Sequence, residues 1–203
     1  MNKLSLKNNK GFTLVETLFA VLILTFTITG LMTIVANSLF SARYAKDEIT
    51  ANYLLQEVID YVRNDRDTTV FLKGVGDSWS TLNSHYANCL NQGVGCYIDV
   101  LTPPANAILK ECNSDQSIGC PFLYYDETKD QNGVTSPDKN NPFYVSGDDS
   151  LDKRNKVLTN FKRKIVITNP TADEMVVTVT VSWKNGSLPI SRSLSTSFMN
   201  WQK

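Results

Sequence analysis

FTLVETLFAVLILTFTITGLMTIVANSLF fills residues 12–40, and Glu16 is its only charged residue. As a helix this stretch rises about 43 Å at 1.5 Å per residue, more than the roughly 30 Å hydrocarbon core of a bilayer. Length and composition therefore predict a membrane-spanning helix. Gly30, among Thr27, Thr29 and Thr33, is the one weak point inside it, since no proline precedes Pro103.

Outward from that run, the charge is uneven. Lys3, Lys7 and Lys10 fall in the first eleven residues with no acid beside them. Basic residues ahead of the apolar helix keep the N-terminus cytoplasmic and send the remainder outward. A secretory signal would be cut after its apolar region, beside small residues of the A-x-A kind, and only Ala36, Ser38, Ser41 and Ala42 offer anything similar. A plain anchor has no use for Glu16, because a carboxylate at the centre of such a helix costs about 2.5–3.5 kcal/mol on insertion scales and less near its end. An acid placed there calls for a partner.

Lys10, Gly11, Phe12, Thr13, Leu14, Val15 and Glu16 read KGFTLVE, which resembles the type III signal of the type IV pilin superfamily, K-G-F-T-L-x-E. The resemblance implies a leader, residues 1–11, removed by a prepilin peptidase between Gly11 and Phe12, with N-methylation of the new Phe12 amine. Glycine suits such a cut because it lets a protease approach the backbone closely. The family's glutamate falls on Glu16, where the resemblance implies pairing with the N-terminal amine of a neighbouring subunit. A buried charge used in that way sets register. Many major pilins carry a proline within the apolar segment, and this chain has none there.

Residues 41–64 continue the helical pattern in amphipathic form. Ala51, Leu55, Val58 and Val62 recur at steps of three and four, and Leu54 and Ile59 widen the stripe. Asp47, Glu48, Glu57, Asp60 and Arg63 are expected to be a solvated face, and the run RNDRD at residues 63–67 to end the helix. Residues 65–203 would then form an extracytoplasmic head. Its C-terminal part alternates clearly: Phe161, Arg163, Ile165 and Ile167 form one face, and Met175, Val177, Val179, Val181 and Trp183 another. A turn is expected at Asn169-Pro170, a longer loop over residues 185–189, and a third strand with Leu194 and Phe198 inward. The predicted fold is α+β and pilin-like: a long N-terminal helix packed on a C-terminal antiparallel meander, with a loop-rich middle. The segments ANYLLQEVIDYVR, VTVTVSWKNG and FMNW look like those of PilV-like minor pilins and the I-type minor pseudopilins of type II secretion.

Cys89, Cys96, Cys112 and Cys120 are an even, clustered set that suits two disulfides in an oxidising compartment. Three connectivities are open, of which local pairing is the simplest. Zinc is the competing reading, but neither pair has the short spacing of common zinc motifs. Asp126, Asp130, Asn132 and Gly133 invite a calcium reading. The EF-hand pattern aligned on Gly133 puts Thr128 and Lys139 where acids are required, so a polar loop over residues 126–152 is expected instead.

No catalytic constellation stands out. His85 is the single histidine, Gly74 and Gly76 lack the rest of a phosphate loop, and Trp79, Trp183 and Trp201 suit packing better than a binding platform. Balanced charge, 20 basic against 20 acidic side chains, gives no whole-chain case for nucleic acid, and that partner is left open. The sequence thus leads to a structural, non-enzymatic filament subunit without a cofactor. The resemblance implies as partners other pilin or pseudopilin subunits, the prepilin peptidase, the membrane and an assembly-platform protein. It implies a single-pass inner-membrane precursor that later joins a filament at the cell surface. The rival expectation is a membrane-anchored extracytoplasmic binding protein, an adhesin or DNA-uptake receptor, whose helix only tethers the head.

Overall fold

In the computed structural model the described residues are 11, 13–74, 77–90, 94–98, 109–115, 119–126, 144–146 and 156–200. One helix, α1 (Leu14–Lys73), holds both the apolar run and the amphipathic stripe. The chain divides into two compact units, Met1–Asp47 and Glu48–Lys203. In the first, the large apolar side chains from Leu14 to Phe40 are exposed. Thr17, Thr25, Thr27 and Thr33 donate their hydroxyls to carbonyls three residues back, at 2.7–2.8 Å. Threonine can therefore sit in an apolar helix without an unsatisfied hydroxyl. The helix runs through Gly30 without interruption.

The second unit is built on a seven-stranded sheet. Its strands are β1 (Cys96–Tyr97), β2 (Lys110–Glu111), β3 (Phe122–Asp126), β4 (Tyr144–Ser146), β5 (Lys156–Thr171), β6 (Glu174–Asn185) and β7 (Leu188–Met199). The described strands pair antiparallel, and Leu90 makes an isolated parallel bridge to Ile167. The long strand β5 is central. It pairs with β6 along one edge, while β3 and β1 share the other. Among the described residues β7 pairs only with β6 and forms one margin. A short helix, α2 (Ser78–His85), and a 3₁₀ turn at Ala87–Cys89 connect α1 to the sheet.

Alternation on β6 is complete from Met175 to Trp183: every second residue is buried. Those residues, with Phe161, Ile165 and Ile167 of β5 and Phe198 of β7, share one core cluster with Ala51, Leu54, Leu55, Val58, Ile59 and Val62 of α1. An oily helix stripe and an oily sheet face cover each other, which removes both from water. The long helix packed on a C-terminal antiparallel sheet is the pilin-like α+β fold expected from the sequence.

Three boundaries differ from expectation. First, α1 runs to Lys73, through the charged segment expected to end it, because Asp65 and Thr69 turn into the interior and extend the buried stripe. Second, the Asn169-Pro170 step lies within β5, where the register shifts between Thr168 and Thr171, and the turn falls at Ala172-Asp173. A bulge absorbs the proline that a regular ladder would reject. Third, β6 and β7 meet through a tight turn, with Asn185 opposite Leu188 and Gly186 at φ 63°. Pro189 does not lengthen this loop. In the alternating antiparallel ladder it occupies a position whose missing N–H faces the open margin of β7 rather than β6.

Candidate functional site

The N-terminal site is local in sequence and helical in origin. Thr13 caps α1: its Oγ1 accepts the Glu16 backbone N–H at 3.3 Å, and its carbonyl accepts the Thr17 N–H at 3.2 Å. T-x-x-E is the spacing of a capping box, so the TLVE of the signal also starts the helix. Glu16 stands in the first turn, where a carboxylate is favoured by the helix dipole. It is exposed among apolar neighbours that are exposed as well. A Cβ added at Gly11 would meet nothing within 4 Å. Among the described residues, then, nothing crowds that position. Residues 1–10 and Phe12 lie outside the described residues.

The cysteines lie in the head, away from this segment in sequence. Cys89 is joined to Cys96 and Cys112 to Cys120, with Cα–Cα distances of 5.9 and 4.5 Å. The local pairing is therefore the one formed, and no thiolate among the four remains for zinc. The first bridge ties the 3₁₀ turn to β1. Among the described residues no group of three or more His, Cys, Asp or Glu side chains gathers to hold a metal. The calcium question at Asp130, Asn132 and Gly133, with Thr128 and Lys139, lies outside the described residues, and Asp126 ends β3.

Several polar contacts of the head were not expected from the sequence. Arg163, 1% exposed on the core face of β5, donates to the Glu57 carboxylate of α1 and to the Leu54 carbonyl at 3.3 Å. Arg192 of β7 donates to Glu48 Oε1 at 2.6 Å. Glu48 and Glu57 are thus tertiary partners of the sheet, not members of a merely solvated face. Asp65 is buried and accepts the Tyr86 hydroxyl at 2.7 Å, with His85 Nδ1 3.3 Å from the same oxygen. Burial, then the neighbouring Asp65, push the Tyr86 phenol well above its ordinary range and keep it a donor. Trp79 Nε1 donates to the Ala172 carbonyl at 2.8 Å, which fastens α2 to the β5–β6 turn. Trp183 packs in the core and Trp201 lies outside the described residues. The only sequence signal for these pairs was a charged residue on an apolar face, at Arg163.

The family model for the prokaryotic N-terminal methylation motif matches residues 6–32. No curated protein and no solved structure matches the chain. The matched segment contains Gly11, the Thr13 cap and Glu16, and continues into the exposed apolar half of α1. This is a pilin-like protein that carries the N-terminal methylation motif of the type IV pilin and pseudopilin superfamily.

Proposed function

We propose that the chain is a structural minor subunit of a type IV pilus or type II secretion-like filament, of the PilV-like or I-type minor kind. Prepilin peptidase cuts between Gly11 and Phe12 and methylates the Phe12 amine. The mature helix is first held in the inner membrane, with the head, residues 65–203, outside. It then exchanges lipid for the helices of other subunits at an assembly platform. Glu16 pairs with the N-terminal amine of a neighbour, which offsets its burial and fixes axial register.

One observation carries this reading. The methylation motif opens directly into a helix whose apolar side chains are exposed and whose one acid up to Phe40 lies in its first turn. Such a surface must be covered by lipid or by other helices.

Two substitutions test the role of Glu16. Glu16→Ala and Glu16→Gln should both leave leader removal intact. Both should lower incorporation into sheared filaments by about tenfold, the equivalent of 1.4 kcal/mol. Glutamine keeps the capping-box spacing and loses the charge, so it separates helix capping from register. Normal incorporation of Glu16→Gln would sink the register role. Wild-type protein that stays with the membrane when filaments are sheared away would favour the tethered binding protein instead.

A further inference from the structure

Gly11 is not helical, and α1 opens three residues later at Leu14. Thr13 sets that boundary. Its carbonyl accepts the Thr17 N–H at 3.2 Å, the first bond of the helix ladder, and its Oγ1 accepts the Glu16 N–H at 3.3 Å. Those two bonds are what an N-cap residue supplies. Upstream, in NKGF at residues 9–12, only Asn9 and Gly11 are of types that cap a helix well.

Where the helix starts decides whether the proposed cut can be made. Leader removal adds water across the Gly11–Phe12 amide, which leaves a carboxylate on Gly11 and an ammonium on Phe12. A peptidase reaches such a bond most readily in exposed chain that is free of helical hydrogen bonds. With the cap at Thr13, the bond lies before the first turn. Without the Thr13 hydroxyl, the best caps left are Gly11 and Asn9. A cap at Gly11 would engage the carbonyl to be attacked with the Val15 N–H. A cap at Asn9 would wind the whole bond into the first turn.

We infer that Thr13 is a positioning residue for leader removal: its side-chain cap holds the helix start downstream of the bond that is cut. This role rests on the cleavage proposed between Gly11 and Phe12. It is separate from the register role of the Glu16 carboxylate, since Glu16 enters the cap through its backbone N–H. Thr13 thus acts on the shape of the substrate rather than on the enzyme.

The test uses the full chain in detergent micelles with purified prepilin peptidase, over a range of chain concentrations. Thr13→Val keeps the shape of the side chain and loses the acceptor. It should raise KM about fivefold and leave kcat unchanged, because a smaller share of the chain presents an unwound bond. Thr13→Ser and Thr13→Asn should be cut as the wild type is, asparagine because it caps equally well with a different shape. Backbone chemical shifts should turn helical at residues 12 and 13 in Thr13→Val and keep their wild-type values in Thr13→Asn. Equal KM for Thr13→Val and wild type, or slow cutting of Thr13→Asn with a wild-type helix start, would overturn this role and leave the cleavage site standing. A wild-type chain left uncut between Gly11 and Phe12 would instead remove the cleavage reading itself, and this role with it.

Discussion

Arg163 sits in line with Phe161, Ile165 and Ile167, on the side of β5 that α1 covers, and Glu57 meets it there. Glu57 is the partly exposed partner, yet removing it should be the more damaging change. Glu57→Ala leaves a buried guanidinium without its carboxylate, at a cost of about 3–5 kcal/mol. Adding Arg163→Met should recover roughly half of that loss, because the charge goes while the volume stays. Chemical denaturation of the three proteins checks this, and additive losses would contradict it. The sequence alternation already placed Arg163 inward. It could not supply Glu57, because periodicity is local and the partner is 106 residues away. The same limit hid the pairing of Asp65 with Tyr86. Since the folded Tyr86 phenol holds its proton far above the usual range, while an unfolded tyrosine loses it near pH 10, stability should fall as pH rises past about 10. Tyr86→Phe should cost about 1–3 kcal/mol at neutral pH by removing the hydroxyl that donates to the buried Asp65, leaving only the longer His85 contact, and should flatten the alkaline fall. An alkaline melting curve no different from wild type would contradict the assignment.

At the scale of elements, period-2 alternation made β5, β6 and β7 readable, and 3.6-residue periodicity did the same for the buried stripe of α1 up to Val62. Beyond it, the RNDRD run concealed the helix's continuation, because Asp65 is buried by tertiary partners rather than excluded by polarity. The short strands β1 and β2, of two residues each, are too brief for any period to show. They are held by the two disulfides and by Gly95. Gly95 has φ 81°, and a Cβ there would fall 2.4 Å from Lys164 Cε and 3.1 Å from the Ile165 carbonyl oxygen. Gly95→Ala should therefore cost about 1–2 kcal/mol from the left-handed backbone alone, and more for the displaced lysine. Gly186→Ala has a similar φ with open space around it, and should cost only the backbone part. Equal melting losses for the two would remove the steric claim. Each disulfide closes a loop of seven or eight residues, so replacing either pair by serine should cost about 2–3 kcal/mol on chain entropy.

Across the whole molecule, two units divide the work. The head buries its helix stripe on its sheet, while the first unit leaves its apolar side chains exposed. The N-terminal segment was highly legible, because the methylation motif and the apolar run that opens α1 are both read along consecutive residues. The pairing of Arg192 with Glu48 was not legible, since its residues come from a strand and a helix brought together only by folding. The central claim concerns the start of the mature chain. Intact mass and N-terminal analysis should be made on protein from cells with their own prepilin peptidase, beside a Gly11→Val control. The expected result is a mature chain beginning at N-methylated Phe12 and an uncut control. An uncut wild-type chain, or cleavage near Ala36 to Ala42, would contradict the account.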